Sequence, residues 1–278
     1  MSEIVSTNWL YKNSHKKNLV IFDCSWYMPS EKRNPFKEYQ MQHIKNSYFF
    51  DINDISKSSS SLPHMLPSLK KFKEKIKNFN IHSNSIIINY GKENIMGACR
   101  VWWMFKYFGF NNVKVLNGSL SKWKKENKIT TKKISKKYKT SYNFKIIKEL
   151  LSKKSEILNS YLDKNYLIFD ARNSFRFKGL INEPRKNLRS GHIPNSQNIY
   201  WKKLLKKNSE LKNKRKIMDI LKSNNFFNKK VICSCGSGIS ACVLSLSLLN
   251  VLGIKSSVYD GSWSEWGLNK NLPINISK

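Results

Sequence analysis

VICSCGSGISACVLSLSLL, residues 231–249, begins with a short apolar run, continues through two glycines and ends in an apolar run with helical spacing. This pattern predicts a strand, a tight turn and a helix. Cys235 stands where the strand ends, and the N–H groups of the turn and of the helix N-terminus are expected to surround its sulfur. Such donors favour the thiolate, the nucleophilic form of cysteine. A buried, inert cysteine is the alternative, and this loop alone does not decide between them.

Four segments of the chain recur in the same order with a nearly constant offset. Asp23 and Asp170 are 147 residues apart, and His43 and His192 are 149 residues apart. The pairs are LVIFDCSWYMP at 19–29 with YLIFDARNSFR at 166–176, QHIKNSYFFD at 42–51 with GHIPNSQNIY at 191–200, SIIINYG at 85–91 with VICSCG at 231–236, and NGSLSKW at 117–123 with DGSWSEW at 260–266. Each half alternates strands with helices, which predicts an α/β fold in which a mainly parallel sheet is flanked by helices.

The duplication predicts two domains, residues 1–130 and 144–278, joined by a linker at 131–143. The linker lies within a stretch, 124–143, that is polar, rich in lysine and without apolar periodicity. A chain of 278 residues is long enough for each half to bury a core of its own.

The two halves differ at the glycine-containing loop. In the second half the loop runs from Cys235 to Ser240 and begins with a thiol. The corresponding stretch of the first half is expected to run from the phenol Tyr90 through GKENIMG to Ala98 and to be two residues longer. We therefore expect thiol chemistry in the second half and a scaffolding role for the first.

The formal net charge of the chain is +33, which raises the question of a polyanionic partner. The basic residues are spread over the whole sequence, and no basic helix with interleaved aromatic residues is evident. We therefore expect no nucleic acid as the main partner, while the charge can still attract small anions.

The arginines are distributed along the chain differently from the lysines. Of the 51 basic residues 44 are lysine, and four of the seven arginines fall between Arg172 and Arg189. A guanidinium offers a planar pair of donors to a carboxylate, whereas an ammonium does not. The cluster is a candidate site for an anionic small molecule.

Five cysteines form an odd set without the spacing of a disulfide framework or of a CxxC zinc site. No window approaches the roughly 20 apolar residues of a membrane span, and the N-terminal stretch has no uninterrupted apolar segment of a secretion signal. We therefore expect reduced thiols in a cytoplasmic protein, with no membrane partner and no bound metal.

CGSGISA at 235–241 resembles the active-site loop of the 3-mercaptopyruvate sulfurtransferases, in which CG is followed by Ser or Thr, Gly, an aliphatic residue, Ser or Thr, and Ala. The likeness extends over nearly the full chain. Further segments that resemble this family are SYFFDINDISKSSSSLPHMLPS at 47–68, CRVWWMFKYFGF at 99–110, EPRKNLRSGHIPNS at 183–196 and YDGSWSEW at 259–266. The resemblance implies two tandem rhodanese domains with the catalytic cysteine in the second.

The resemblance also implies a reaction. Cys235 takes the sulfur of 3-mercaptopyruvate as a persulfide, pyruvate is released, and a thiol acceptor such as thioredoxin or glutathione, or cyanide, removes the outer sulfur. The cysteine is itself the sulfur carrier, so no organic or metal cofactor is expected. The residues implied to hold the persulfide anion are those of the loop after the cysteine, Gly236, Ser237, Gly238, Ile239 and Ser240.

Three further side chains receive roles by the same resemblance. Arg176 and Arg185, both in the arginine cluster, are implied to bind the carboxylate and the ketone of the substrate. His64 is implied to transfer a proton together with Ser237. In some family members an acidic residue lies eleven positions before this histidine, but this chain has Asn53 there, with Asp51 and Asp54 nearby.

The residues of the loop also bear on two other activities that related proteins have. Phosphatases with a rhodanese-like domain have an arginine six positions after the cysteine, where this chain has Ala241. Rhodaneses that prefer thiosulfate carry basic residues directly after the cysteine, where this chain has Gly236 and Ser237. Mercaptopyruvate is therefore the expected substrate, and a thiosulfate sulfurtransferase is the alternative.

Overall fold

The computed structural model describes residues 2–56, 60–221, 226 and 228–277, and these form two compact units. Each unit takes one short segment from the other half of the sequence. Unit 1 comprises the described residues within Met1–Ser58, Leu66–Ile147 and Lys207–Leu211, and unit 2 comprises those within Ser59–Met65, Lys148–Lys206 and Lys212–Lys278.

Unit 1 is built on a parallel sheet. Its strands are β1 (Ile4–Val5), β2 (Leu19–Asp23), β3 (His43–Ile44), β4 (Ser47–Phe49), β5 (Ile86–Tyr90), β6 (Val113–Leu116) and β7 (Thr130–Thr131). Its helices are α1 (Thr7–Asn13), α2 (Pro35–Met41), α3 (Ile52–Ile55), α4 (Leu69–Ile76), α5 (Met96–Tyr107) and α6 (Leu120–Lys125), with a 3-10 helix at Pro29–Glu31. The parallel sheet has the order β1-β6-β5-β2-β4, and β3 pairs antiparallel with β7.

Unit 2 repeats this plan. Its strands are β8 (Leu151–Ser152), β9 (Tyr166–Asp170), β10 (Gln197–Asn198), β11 (Lys230–Ser234) and β12 (Ser256–Tyr259). Its helices are α7 (Lys154–Ser160), α8 (Ser174–Lys178), α9 (Lys214–Leu221), α10 (Ala241–Leu252) and α11 (Ser262–Trp266), with 3-10 helices at Lys148–Leu150 and Trp201–Leu204. All pairings in its sheet, β8-β12-β11-β9-β10, are parallel.

The two sheets have the same strand order, which is the structural form of the sequence repeat. The central strands β2, β5, β9 and β11 are buried along nearly their whole length. Such continuous burial is expected of parallel strands that are covered by helices on both faces. The predicted fold class, α/β with a mainly parallel sheet flanked by helices in each half, is confirmed.

The repeated histidines have matching positions inside the two units. His43 Nδ1 lies 2.7 Å from the Tyr39 carbonyl oxygen, and the two rings stack with centroids 4.0 Å apart. His192 Nδ1 lies 2.8 Å from the Phe177 carbonyl oxygen, and its ring stacks on Phe177 at 3.8 Å. Both imidazoles therefore join a helix to the strand entry that follows it.

The segment predicted as the linker packs against unit 1. The Tyr142 ring stacks on Phe110 with centroids 3.7 Å apart, and Ser135 Oγ donates to the Ser47 carbonyl at 2.9 Å. The division into domains 1–130 and 144–278 stays a prediction. Within the described ranges, no helix has the length and apolarity that a bilayer crossing requires.

The close approach of α5 to the end of β2 leads to a prediction about stability. A Cβ atom on Gly97 would lie 2.1 Å from the Cys24 carbonyl oxygen, which is fixed main chain. We expect Gly97→Ala to lower the free energy of unfolding by about 3 kcal/mol, because the helix must move away from the strand. Urea unfolding followed by circular dichroism measures this loss.

Gly253→Ala is the matched control. Nothing lies within 4 Å of a Cβ atom there, but the φ of +71° disfavours alanine. The expected loss is about 1 kcal/mol, from backbone strain alone. A Gly97→Ala loss no larger than that of Gly253→Ala would show that α5 does not need this close approach.

Candidate active site

The predicted loop lies at the carboxyl end of the unit 2 sheet. β11 ends at Ser234, which pairs in register with Asp170 at the end of β9, and α10 begins at Ala241. The connection, Cys235–Ser240, therefore opens at the edge where parallel α/β sheets place their ligand sites. Cys235 is 2% exposed, so its thiol is almost completely buried beneath the protein surface.

Main-chain hydrogen bonds hold the loop to the turn that follows β12. The N–H of Trp263 donates to the Cys235 carbonyl at 2.9 Å, and the N–H of Ser264 donates to the Gly236 carbonyl at 2.9 Å. On the donor side, the N–H groups of Cys235 and Gly238 both donate to Ser262 Oγ at 3.1 Å. Several atoms of the loop backbone are thus fixed from one neighbouring turn.

The structure brings Ser237, His64 and Arg185 together. His64 Nδ1 lies 2.9 Å from Ser237 Oγ, and Arg185 Nη2 donates to the same oxygen at 3.4 Å. Because the guanidinium can only donate, the serine hydrogen remains available to the imidazole. His64 belongs to unit 2 although it comes from the first half of the sequence.

Arg176 is held by a carboxylate that the sequence reasoning did not single out. Glu183 accepts from Arg176 Nε at 3.2 Å and again from its Nη2, and it also accepts from Arg172 Nη1 at 2.8 Å. The Glu183 side chain is 1% exposed. A buried carboxylate with two guanidinium partners fixes both of them.

Arg172 is a structural member of this cluster. It binds Asp170 through Nε and Nη2, and Nη2 also donates to the Gly191 carbonyl at 2.8 Å. Its guanidinium lies 4.4 Å from the centroid of the Trp263 ring. Burial lowers the pKa of Arg172, but the carboxylates of Asp170 and Glu183 together raise it above its usual value.

Arg176 and Arg185 converge on the residue that follows the thiol. A Cβ atom on Gly236 would lie 3.1 Å from Arg176 Nη2 and 3.8 Å from Arg185 Nη1. Glycine at this position therefore leaves the space in which both guanidiniums approach the loop. The arginine cluster found by composition and the cysteine loop found by pattern are one site.

The positive charge at Arg185 is incompletely balanced. Burial lowers the pKa of Arg185, and the nearby charge of Arg176 lowers it further, against the opposing influence of Cys235 and Glu183. A guanidinium whose charged form is disfavoured in this way gains from an anion that binds beside it. The electrostatics of the site therefore favour an anionic ligand.

The other side chains of the loop region are packed in the interior. Ile239 is 2% exposed, and Cys242 Sγ lies 3.2 Å from the Gly238 carbonyl. Cys233 is buried beside Ser256, and burial raises the pKa of its thiol to about 12. Cys233 is thus a poor nucleophile.

Arg189, the remaining arginine of the cluster, binds main chain. It donates to the Gly267 carbonyl at 3.2 Å and to the Asn269 carbonyl at 2.6 Å. The acidic candidates near position 53 also have partners of their own: Asp51 caps α3, and Asp54 pairs with Lys75 at 2.8 Å. Asn53 accepts from Trp26 Nε1 at 3.1 Å.

The predicted match between Tyr90 and Cys235 is wrong. Tyr90 pairs with Asp23 as Ser234 pairs with Asp170, so the residue equivalent to Cys235 is Gly91. The N–H of Leu120 donates to the Gly91 carbonyl, as that of Trp263 does to Cys235. The error arose because sequence similarity aligned the ends of two strands whose true register is set by pairing across the sheet.

The first-half loop is also shorter than predicted. It connects Tyr90 to Met96 through 91–95, whereas Cys235–Ser240 has six residues. A Cβ atom on Gly91 would lie 2.1 Å from the Asn94 carbonyl oxygen, so the unit 1 loop has no room for a side chain where unit 2 carries its thiol.

The repeat also includes the short segment that each unit takes from the other half of the sequence. Ser237 contacts His64, and its counterpart Glu93 accepts through its carbonyl from Ser209 Oγ at 2.6 Å. His64 and Ser209 both have positive φ, 59° and 63°. Each loop is therefore met by the corresponding residue of a segment from the other sequence half, but only unit 2 receives an imidazole.

Two residues of the site were missed by the sequence reasoning. Glu183 was signalled by its place in EPRKN, two positions before Arg185, and Ser262 by its place in DGSWSEW. A motif indicates that a residue matters, but it does not reveal which groups that residue contacts. In the ranges that the structure describes, no group of three or more His, Cys, Asp or Glu side chains could hold a metal ion.

Comparison with known proteins identifies the family of the chain. The rhodanese-like domain family matches residues 6–126 and 154–269. The chain is 35% identical to thiosulfate/3-mercaptopyruvate sulfurtransferase 1, mitochondrial, of Arabidopsis thaliana, over 98% of this chain and 77% of the relative. It is 33% identical to the 3-mercaptopyruvate sulfurtransferase of Escherichia coli K12, over 97% of this chain and 96% of the relative.

A solved structure supports the same assignment. The crystal structure of SseA from Escherichia coli superposes with a TM-score of 0.86 at 30% identity, and the match covers 95% of this chain and 99% of SseA. The two family matches and this superposition together cover both units of the chain. The chain belongs to the rhodanese family, has two rhodanese domains and is a sulfurtransferase enzyme.

Proposed function

We propose that the protein transfers the sulfur of 3-mercaptopyruvate to a thiol acceptor through a persulfide on Cys235, and releases pyruvate. The observation that carries this proposal is the convergence of Arg176 and Arg185 on Gly236, next to the thiol. A substrate that places its sulfur at Cys235 can then place its carboxylate and ketone oxygens at these guanidiniums.

The charge of the site supports a monoanionic substrate. The three guanidiniums of Arg172, Arg176 and Arg185 carry one more charge than the carboxylates of Asp170 and Glu183, and the attacking Cys235 thiolate balances it. Mercaptopyruvate carries one carboxylate, whereas thiosulfate is a dianion. Because an unbalanced charge in a largely buried site is costly, a substrate that brings one negative charge is a better match than one that brings two.

The reaction has two transfers. In the first, the Cys235 thiolate attacks the substrate sulfur, the carbon–sulfur bond breaks, and its electron pair stays on carbon as the pyruvate enolate. Arg176 and Arg185 stabilise the charge on the enolate and the carboxylate. A proton added to the enolate carbon completes pyruvate, and the outer sulfur remains bound to Cys235.

Ser237 and His64 are suited to deliver that proton. The hydroxyl lies between His64 Nδ1 and Arg185 Nη2, which gives a short path from the imidazole into the site. We propose that this pair moves the proton, with Arg185 holding the serine in place. The N–H groups of Gly236, Ser237, Ile239 and Ser240 complete the site by holding the persulfide anion, and a contact from Gly238 would be shared with Ser262.

In the second transfer an acceptor thiolate, or cyanide, attacks the outer sulfur and restores the Cys235 thiolate. We propose a small thiol or a dithiol protein, such as glutathione or thioredoxin, as acceptor. All five cysteines are thiols rather than disulfides, which supports a reducing compartment such as the cytoplasm. The second candidate activity, thiosulfate:cyanide sulfur transfer, is favoured by the name of the Arabidopsis relative, which includes thiosulfate.

The persulfide predicts which cysteine gains mass. After incubation with mercaptopyruvate and no acceptor, mass spectrometry should find one extra sulfur atom on the peptide that contains Cys235. Cys235→Ser should abolish turnover with a melting temperature close to that of the wild type, because the hydroxyl fits the same space but cannot form a persulfide. An added sulfur on Cys24, Cys99, Cys233 or Cys242 would contradict the assignment.

His64→Gln provides the control for proton transfer. The amide can still bond to Ser237, so we expect the persulfide to form while steady-state pyruvate release slows by about tenfold, within the usual range for general acid catalysis. Unchanged pyruvate release would remove His64 from the mechanism without affecting the role of Cys235.

Substrate preference tests the charge argument. Pyruvate release from mercaptopyruvate should exceed thiocyanate formation from thiosulfate by at least about tenfold in kcat/KM, or ~1.4 kcal/mol in the barrier. The double variant Gly236→Arg, Ser237→Lys should shift the ratio towards thiosulfate, because it adds positive charge and displaces Arg176. A wild-type enzyme that prefers thiosulfate would make the second candidate activity the main one.

The arginine pair should act on substrate binding. Arg176→Lys and Arg185→Lys keep the charge but lose the paired donors, and a hydrogen bond to a charged group contributes roughly 1.5–3 kcal/mol. We therefore expect kcat/KM for mercaptopyruvate to fall by about tenfold or more. Discharge of preformed persulfide to cyanide should change far less, since cyanide has no carboxylate.

Arg189→Lys is the matched control for this pair. Arg189 lies in the same sequence cluster but binds main-chain carbonyls, so its loss should lower stability more than kcat/KM. Equal losses of kcat/KM in all three variants, or a loss confined to the discharge step, would mean that the substrate carboxylate is bound elsewhere.

A further inference from the structure

Ser262 lies against the cysteine loop in a strained backbone conformation, and its hydroxyl uses all of its hydrogen-bonding capacity. It is 0% exposed, and its φ of +50° is unusual for a residue with a side chain. Its hydroxyl accepts from the N–H groups of Cys235 and Gly238 and donates to the Tyr259 carbonyl at 2.7 Å. A hydroxyl offers one donor and two acceptor positions, and these three contacts use them all.

The repeat supplies a direct comparison within the chain. Ser119 is the counterpart of Ser262 in unit 1, is 1% exposed and has an extended backbone with φ −140°. Its hydroxyl accepts from the N–H of Lys122 and caps α6. The same residue type in the same turn therefore has a different task in the unit without the thiol.

The two turns also place their backbone strain differently. In unit 1 the positive φ, +117°, belongs to Gly118, where it costs little. In unit 2 Gly261 has φ −65°, and the positive φ passes to Ser262. The adjacent Gly261 could adopt a positive φ at little cost. We infer that the strained φ of Ser262 is kept because it brings the hydroxyl to the N–H groups of the loop.

Gly238 completes the arrangement. Its φ of +77° directs its N–H to Ser262 and its carbonyl to the sulfur of Cys242. In unit 1 the equivalent Asn94 has its carbonyl against the position that a side chain on Gly91 would occupy. The two loops thus differ in the orientation of the peptide at Gly238 and Asn94. The orientation in unit 2 leaves room for the thiol, and the orientation in unit 1 does not.

We propose that Ser262 is a positioning residue for sulfur transfer: by binding the N–H groups of Cys235 and Gly238 it holds the loop open around the thiol and leaves the other loop N–H groups to the sulfur. The inference goes beyond the proposed substrate, because it concerns the thiol and the loop alone. It can therefore be tested with a reagent that carries no carboxylate for the arginines to bind.

The test uses Ser262→Gly in the full-length protein. Glycine accepts the positive φ without strain and removes the hydroxymethyl group, and with it the hydroxyl that binds the loop. We expect the rate of Cys235 alkylation by iodoacetamide at neutral pH to fall by about tenfold. The kcat/KM for mercaptopyruvate should fall by a similar factor, with the loss mainly in kcat.

Two controls separate positioning from stability. Ser119→Gly removes the equivalent hydroxyl in unit 1 and should leave both the alkylation rate of Cys235 and kcat/KM within twofold of the wild type. Ser264→Ala removes a contact to the Gly236 carbonyl that unit 1 also makes, from Ser121 to Lys92, and should lower the melting temperature rather than the alkylation rate. An unchanged alkylation rate in Ser262→Gly would overturn the proposal.

A measurement on the wild type covers the case in which Ser262→Gly does not fold. Amide hydrogen exchange should show Cys235 and Gly238 protected in the resting enzyme, with no further protection after persulfide loading. Gly236, Ser237, Ile239 and Ser240 should become more protected on loading. Rapid exchange at Cys235 and Gly238, or a gain of protection there on loading, would refute the role of Ser262. Normal alkylation without turnover of mercaptopyruvate would instead count against the proposed substrate.

Discussion

Two main-chain hydrogen bonds in each unit tie the loop after the central strand to the turn after the next strand. In unit 2 they run from Trp263 and Ser264 to the carbonyls of Cys235 and Gly236. In unit 1 they run from 120 and 121 to 91 and 92 in the same way. Because these bonds involve only backbone, they fix the loop whatever side chain it carries, and the rest of the site is assembled on that frame.

Buried charge is the second constraint. Glu183 binds two guanidiniums and so allows Arg176 to stand beside the thiol in a fixed orientation. Without such partners, desolvation of this many cations would be prohibitive. The remaining imbalance falls on Arg185, whose pKa is lowered by burial, and it is this imbalance that an anionic substrate would relieve.

The two units show how one frame can be active or inert. Asp170 has the guanidinium of Arg172 as partner, whereas its counterpart Asp23 has the hydroxyl of Ser25, and burial raises the pKa of Asp23. In unit 1 the loop residue Lys92 is engaged with Glu38 at 2.9 Å. Its cation is thus neutralised by the protein, while the guanidiniums of unit 2 keep an excess of charge.

The amino-acid sequence by itself determined the duplicated α/β fold, the loop at Cys235 and the cluster of four arginines between Arg172 and Arg189. These features are local or repeated, so apolar periodicity, motif spacing and composition suffice to reveal them, whereas the choice of Arg176 and Arg185 within the cluster came from the resemblance to a known family. The tertiary structure alone decided that Gly91 matches Cys235, that His64 joins unit 2, and that Glu183 and Ser262 support the site. Strand register and hydrogen-bond partners depend on groups far apart in the chain, and these meet only when the chain has folded.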